Sequence, residues 1–403
     1  MGTKRLYLLD SHMAENDAVI LTCAKTDGGY AVTVDECCLF PNAGGQPCDL
    51  GTAGTARVLS VDEKDGELVI LTDAALPVGE RVHIEMDWAR RFDFMQQHTG
   101  EHLLSFVLYD LYGAANVGFH LAETYATIDM SVPLDKEQLS EAVMKTNARI
   151  AMNLPVTAHS FESEEALAAS GLPLRKHAEG LIAPIRIVSI EGADACTCCA
   201  PHCKHTGEIG SVAIADAAPY KGGTRITFFC GQRAVAAALS EHALLDSVAR
   251  RFSTARADVE GAIVKQTDAL TAAKRQNKAL IEKLNGYLAA ELIEDAAHSG
   301  RYSICAACFD GMESAQLSSL SARMAEHADC VSLLFAANAD ACPYVLSASE
   351  KFPLDMGELA ASVNAITGGR GGGRGTRAQG MAKAPVSPET LEQLRAYLVK
   401  RLK

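Results

Sequence analysis

His98-Thr-Gly-Glu-His102 lies inside Met95-Gln-Gln-His-Thr-Gly-Glu-His-Leu-Leu104, a run whose pattern reads as helix, and places two imidazoles four residues apart. Residues at that spacing share one helix face and come close enough for both rings to hold one ion. A second stretch, Cys198-Cys-Ala-Pro-His202, repeats the four-residue spacing with a thiol and an imidazole. Together they offer a three-nitrogen, one-sulfur set that suits tetrahedral zinc. The second stretch is crowded, with Cys196, Cys198, Cys199, His202, Cys203 and His205 inside ten residues. Spacing alone does not choose among them, and a structural Cys-x-Cys site confined to that segment is an alternative. His98-Thr-Gly-Glu-His102 also fits the H-x-x-E-H signature of inverted zinc peptidases, in which Glu101 is the general base. That class needs a further carboxylate ligand on a later helix and uses no Cys–His pair.

Outward from these stretches, the chain falls into segments of different character. Residues 1–88 read as short alternating strands (Ala18–Ala24, Tyr30–Val34, Ala56–Val61, Glu67–Leu71, Arg81–Glu85) joined by turns. Asp27-Gly28 and Asp65-Gly66 are hairpin signals. A small β-barrel is expected, with the glycine-containing segment Phe40–Gly51 between strands. Residues 89–233 alternate helix (Ala89–Tyr112, Leu134–Met152) and strand (Tyr125–Met130, Ile185–Ile190, Ser211–Ile214, Thr224–Phe229), an α+β domain that carries the zinc ligands. Residues 234–295 read as a long helical, coiled-coil-like segment with a narrow apolar stripe (Leu245, Val248, Phe252, Val259, Leu280, Leu284) interrupted by Gln266 and Asn277. Such a stripe pairs with another helix, in the same chain as a hairpin or in a partner, and with few chain breakers before Asn285-Gly286 homodimerisation is expected. Residues 296–403 alternate strand (Tyr302–Cys308, Val331–Ala336, Tyr344–Ala348) and helix (Met312–Ala325, Asp355–Ile366, Pro388–Lys400) as a small α/β domain. Between its last two helices, Thr367–Arg377 reads as a glycine–arginine loop able to present amides and guanidinium groups to phosphates. The fold class is therefore α+β, assembled from a small β-barrel, an α+β domain, a long helical segment and a small α/β domain.

Composition narrows the function classes. Hydrophobic residues make up 48% and charged residues 22%, as in ordinary globular proteins. No apolar run reaches the roughly 18–20 residues of a membrane span. The N-terminal apolar stretch is too short for a signal peptide, and Leu6 occupies the Ser/Thr position of a myristoylation signal. A cytoplasmic location is expected. Thirteen cysteines in so long a chain, some of them adjacent, point to metal or catalysis before disulfides. The net charge of −13 argues against global nucleic-acid binding, but residues 363–403 hold eight basic and two acidic side chains. An acidic body with a basic C-terminal region fits local anion binding.

Several ordered motifs carry a resemblance across the whole chain. Phe40-Pro-Asn-Ala-Gly-Gly-Gln-Pro47 is similar to F-Y-P-x-G-G-G-Q-P, although Asn42-Ala43 departs from it. Met95–Leu104 matches an H-T-x-x-H-L-L helix. Cys198–Gly210 resembles C-x-x-x-H followed by T-G-E-I-G, and Gly223–Gly231 a closing R-I-x-F-x-x-G strand. These are motifs of the long form of the AlaX proteins, freestanding relatives of the alanyl-tRNA synthetase editing domain with a C-terminal DHHA1 module. The resemblance implies a metal set of His98, His102, Cys198 and His202, counted back from Thr206, and one Zn²⁺ per chain. It leaves Cys196, Cys199, Cys203 and His205 outside and gives Glu101 no fixed role. It implies a hydrolase that removes serine, or glycine, from mischarged tRNA(Ala). Gln46 is its catalytic candidate, Gly44, Gly45, Thr206 and Glu208 its substrate-side candidates, and Arg370, Arg374 and Arg377 its phosphate contacts. A non-catalytic zinc-containing tRNA-binding module is the alternative.

Overall fold

The computed structural model describes residues 2–175, 183–338 and 342–403. It divides into two compact units, Met1–Val248 and Ala249–Lys403.

After a short parallel pairing of Lys4–Arg5 with Glu36–Cys37, the first unit has six barrel strands: β1 (Glu15–Thr26), β2 (Gly29–Val34), β3 (Gly51–Ala53), β4 (Ala56–Lys64), β5 (Glu67–Thr72) and β6 (Arg81–Met86). They close in the order β1-β2-β5-β4-β3-β6. Alternation along β5, and along β4 across a bulge between Val58 and Ser60, sends Val58, Val61, Leu68 and Ile70 inward, where they meet Ile20, Val32 and Ile84. Two-residue turns at Asp27-Gly28 and Asp65-Gly66 join the paired strands. The short strand β3, at the end of the Phe40–Gly51 segment, is an element that alternation did not reveal.

Helix α1 (Trp88–Tyr112) follows, capped by the Asp87 side chain, which accepts from Arg90 N–H, and stopped at Gly113 in the left-handed conformation. Most of its residues from Phe94 to Leu108 are buried, because it is sandwiched in the core of the α+β part. A four-stranded antiparallel sheet packs on it. Its strands are β7 (Asn116–Leu121), β8 (Ala126–Met130), β12 (Val212–Tyr220) and β13 (Gly223–Cys230), in the order β12-β13-β8-β7. Helix α2 (Lys136–Ala151), with a capping box between Asp135 and Gln138, adds Leu139, Ala142 and Ile150 to the same core. A smaller sheet of β9 (Val156–Phe161), β10 (Ile185–Ile190) and β11 (Ala195–Thr197) leads into the cysteine-rich segment.

One buried ion pair ties the barrel to α1. Arg91 on the helix and Asp49 on the Phe40–Gly51 segment are both fully buried and hydrogen-bonded to each other. Arg91 also donates to the carbonyl oxygens of Ser11 and Cys38, and Asp49 accepts from Phe40 N–H at 2.6 Å. Satisfied in this way on both sides, the pair fixes the segment bearing Gly44–Gln46 against the helix bearing His98 and His102.

The long helical segment expected over residues 234–295 is helical but interrupted. The structure has two helices, α3 (Gly231–Arg251) and α4 (Val259–Glu294), broken over Phe252–Asp258. Ser253 takes a positive φ of 50° there, and its N–H returns to the Arg250 carbonyl. A polar Ser-Thr pair supplies this break without glycine or proline, which is why the pattern read straight through it. Apolar side chains remain exposed on both helices, among them Leu239, Leu244, Leu280 and Leu284.

In the second unit, β14 (Ala297–Ser299), β15 (Tyr302–Asp310), β16 (Cys330–Ala337), β17 (Cys342–Ala348), β18 (Arg370–Arg374) and β19 (Arg377–Ala382) form one sheet in the order β14-β15-β16-β17-β19-β18. Helices α5 (Ser314–Ala325), α6 (Met356–Thr367) and α7 (Pro388–Arg401) complete it. The glycine–arginine stretch read as a loop is here the edge hairpin β18–β19. A Cβ on Gly371 would lie 2.4 Å from Gly380 Cα, and one on Gly373 2.4 Å from Ala378 Cα. The glycines allow close backbone approach inside a strand pair, so composition misread them as loop.

Candidate metal centre

Helix α1 sets His98 and His102 one turn apart, with ring centroids 5.4 Å from each other. The loop after β11 brings Cys198 and His202 to them. That loop is held from beneath by Arg186, whose Nη1 donates to the carbonyls of Cys198 (2.7 Å) and Ala200 (3.0 Å). Ser11 Oγ donates to the His202 carbonyl at 2.6 Å, and Cys203 N–H donates to Thr99 Oγ1 at 3.1 Å. Cys198 packs against both the barrel core and the α+β core, so the centre lies at their junction.

The donor atoms of His98, His102, Cys198 and His202 all lie within 4.8 Å of one another. Cys198 Sγ is 3.5 Å from His98 Nε2 and 3.2 Å from His202 Nε2. An N···S edge of a tetrahedron built on zinc bond lengths is about 3.5 Å, so the donor set has the size of a zinc site. The far nitrogen of each ring is also engaged: His98 Nδ1 with Gln46 Oε1 (2.8 Å), His102 Nδ1 with Asp194 Oδ2 (3.2 Å) and His202 Nδ1 with Thr99 Oγ1 (3.0 Å). With a metal on Nε2, each Nδ1–H finds an acceptor oxygen, the arrangement that fixes ring orientation and tautomer. Asp194 is fully buried and anchored in turn by Arg175 Nε at 2.6 Å.

The charge pattern fits a cation. Burial would raise the Cys198 thiol, but the charges of His98 and His202 outweigh it and hold its pKa well below the usual thiol value. Burial, with His102 nearby, takes His202 down to about 3. Burial alone would also lower His102, yet Cys196 and Asp194 hold it well above an ordinary imidazole. Asp194, despite burial, is taken down to about 2 by His102 and Arg175. The thiol and the carboxylate beside these imidazoles are thus both biased towards their charged forms, as suits a divalent cation.

The other sequence candidates separate clearly. Cys196 Sγ lies 3.2 Å from His102 Nδ1, on the side of Asp194, and forms a second group with those two residues. Cys203 is buried in the α+β core, and burial pushes its thiol up to about 12. Cys199 is exposed, and His205 stands 3.8 Å from Glu208 Oε1. Thr206 is buried and ties the loop to the end of α2, its Oγ1 accepting from Leu154 N–H at 2.8 Å. Glu208 Oε2 is 3.0 Å from His12 Nε2 and accepts from Lys204 N–H. Both side chains brace the ligand loop. Gly44 borders the pocket, whereas Gly45 packs against the Phe119 backbone, where a Cβ would fall 2.8 Å from Phe119 O. Gln46 is buried behind His98, and its Nε2 has no partner among the described residues. Arg370, Arg374 and Arg377 belong to the second unit, exposed on its edge hairpin.

Sequence reasoning missed Thr99, Arg175 and Asp194. Only the general need of a ligating imidazole for an acceptor on its other nitrogen points to such residues, and it does not say which.

The ligands open onto a pocket of about 700 Å³ bordered by His98, His102 and Cys198 on one side and by Glu101, Asn116, Phe119 and Arg186 among others. Residues 185–227, which carry Cys198 and His202, match the family model described as the threonyl and alanyl tRNA synthetase second additional domain. The chain is 28% identical to the alanyl-tRNA editing protein AlaX-L of Pyrococcus horikoshii, over 98% of this chain and 99% of that one. The chain is thus similar along its length to an alanyl-tRNA editing protein. It is also 32% identical to the alanyl-tRNA editing protein Aarsd1 of Danio rerio, over 56% of this chain. That match spans 58% of the fish protein, so the chain spans little more than half the length of some of the curated relatives it matches. An alanine–tRNA ligase of Halorubrum lacusprofundi is 31% identical over 61% of this chain and 28% of its own length. Among solved structures, the C-Ala domain of Aquifex aeolicus alanyl-tRNA synthetase covers 27% of the chain at 22% identity, with a TM-score of 0.24.

Proposed function

We propose that this protein is an aminoacyl-tRNA deacylase that edits mischarged alanyl-tRNA in trans, removing serine, and glycine as a second substrate, from tRNA(Ala). The observation that carries this is the union of a pre-oriented three-histidine, one-cysteine centre with a pocket, in a chain whose full-length relative is named an editing protein. The chemical need is general: a synthetic site shaped for alanine rejects an analogue with an added hydroxyl only weakly, so accuracy requires a second, hydrolytic site.

His98, His102, Cys198 and His202 would hold one Zn²⁺, which when bound supplies a Lewis acid at the ester. Gln46, Thr99 and Asp194 orient the ligand rings from behind; Gln46 is thus a positioning residue and not one that touches the ester. The Gly44–Gly45 backbone shapes the wall facing the aminoacyl group, and Thr206 and Glu208 act by holding the ligand loop. The second unit, read as a DHHA1-type module, would contact the tRNA body. Among the described residues, Arg370, Arg374 and Arg377 have no carboxylate partner, as suits phosphate contacts. The exposed apolar side chains of α4 are the proposed homodimer seam. No helix among the described residues is long and apolar enough to cross a membrane, and the proposed place of action is the cytoplasm.

The peptidase reading loses support from geometry. The buried carboxylate nearest the histidines, Asp194, contacts the outer nitrogen of His102 and sits in a loop, not on a later helix. Metal-loaded protein incubated with Ser-, Gly- and Ala-tRNA(Ala) tests the proposal. Release of serine that is abolished by His102→Ala is expected; hydrolysis of none of the three, with tRNA binding retained, would leave only the non-catalytic binding module.

A further inference from the structure

Glu101 is buried at 4% exposure and borders the pocket, yet it neither holds the metal nor orients a ligand ring. Its two oxygens are unequally treated. Oε1 accepts from Ser105 Oγ at 2.6 Å and from Asn116 Nδ2 at 2.6 Å. Oε2 has no hydrogen-bond donor among the described residues, and it lies 3.8 Å from His102 Nε2, the ring nitrogen that faces the metal centre. Glu101 is outside the four-donor set. Two donors on one oxygen fix the rotamer and leave the other oxygen as a preset acceptor. The other carboxylate bordering the pocket, Glu63, is already paired with Arg5 at 2.9 Å. With metal on His102 Nε2, Oε2 is a carboxylate oxygen without a donor among the described residues, and beside the reaction centre it calls for a cationic or donating group on the ligand.

We propose that Glu101 Oε2 receives the α-ammonium group of the esterified amino acid, making the pocket selective for free aminoacyl esters over N-blocked ones. This rests on the deacylase reading and adds the polarity of the amino-acid subsite. In an α-amino ester the ammonium is separated from the carbonyl carbon by one carbon. A carboxylate beside His102 is therefore within reach of the ammonium when the carbonyl is at the centre. Arg186 borders the same pocket with an unpartnered buried Nε, and its positive charge repels an ammonium placed beside it. An N-acetyl group removes the positive charge and adds bulk where Oε2 waits.

The test uses the full-length zinc-loaded protein, with 3′-(L-seryl)amino-3′-deoxyadenosine and its N-acetyl derivative as non-hydrolysable probes, and calorimetric affinities as the readout. Wild type should bind the free amine at least about 10-fold more tightly than the N-acetyl form, the scale of one charge-assisted hydrogen bond. Glu101→Gln, which keeps the shape and the partners of Oε1, should bring that ratio to within about 2-fold at unchanged zinc content. Deacylation of Ser-tRNA(Ala) measured in parallel should show a raised KM for the variant with kcat little changed. A preserved preference in Glu101→Gln overturns the proposal, as does a fall in kcat at unchanged KM and unchanged preference. Neither outcome touches the deacylase reading, which fails separately if wild type releases no serine.

Discussion

Replacing Asp194 by Asn removes one charge from behind the metal centre while keeping the side chain's shape. Asp194 accepts from His102 Nδ1 at 3.2 Å and from Arg175 Nε at 2.6 Å, and it is fully buried. An amide can offer its oxygen to only one of these donors, so its NH₂ faces the other. The pKa of Asp194 stands at about 2 against an ordinary 3.8. That difference corresponds to about 2 kcal/mol of stabilisation of the ionised, folded form. The sign is that of a depressed acid: the contribution is complete above about pH 4 and is lost as the pH falls from there towards about 2. Leaving Arg175 buried and unpaired adds to the loss, towards the roughly 3–5 kcal/mol typical of breaking a buried pair. Metal affinity should fall about 10- to 100-fold, the usual cost of removing a partner that orients a ligating histidine. Urea melts of the metal-free protein between pH 3 and 7 measure the first effect, and competition with a zinc-chelating dye at pH 7 the second. Wild type should lose stability between pH 4 and 3 more steeply than Asp194→Asn. An unchanged zinc affinity in a folded variant would refute the claim that Asp194 orients His102.

Three further outcomes follow from the same geometry. Arg91→Met should destabilise the protein by about 3–5 kcal/mol in denaturant melts, because it leaves Asp49 buried and unpaired; a change below about 1 kcal/mol would mean that the pair does not anchor the barrel segment. In metal-free protein at pH 7, iodoacetamide should alkylate Cys198, whose pKa is held low by its histidine neighbours, and bound zinc should protect it; mass spectrometry of the modified peptides reads this. Converting Arg370, Arg374 and Arg377 together to Gln should weaken tRNA binding at low salt and flatten the dependence of log Kd on log salt by roughly 0.9 for each phosphate no longer neutralised; an unchanged slope would remove the hairpin from the tRNA interface.

What could be read from the amino-acid order depended on how local each signal was. His98 and His102 were legible because helical periodicity alone puts them on one face. Cys198 and His202 were not selected by spacing, since six donors crowd the segment; the distance to Thr206, known from the family motifs, selected them. The structure gives a physical reason for that fixed distance: buried Thr206 pins the loop to the end of α2 and so sets where Cys198 and His202 stand. Asp194 and Thr99 were invisible because their roles arise only where distant segments meet. The β18–β19 hairpin was misread because glycine signals turns locally, while here it serves close strand contact. The break at Ser253 was missed because no glycine or proline marks it. Glu101 shows the opposite case, a residue the peptidase motif overvalued and the family motif ignored, whose free carboxylate oxygen becomes meaningful only beside His102.

The central claim is that the pocket at the metal centre removes the wrong amino acid from tRNA(Ala) and spares the right one. Single-turnover deacylation by zinc-loaded protein, with Ser-tRNA(Ala) and Ala-tRNA(Ala) followed side by side, measures it. Serine should be released at a rate well above spontaneous hydrolysis while the alanyl ester persists at its spontaneous rate. Equal release of both, or release of neither, would contradict it.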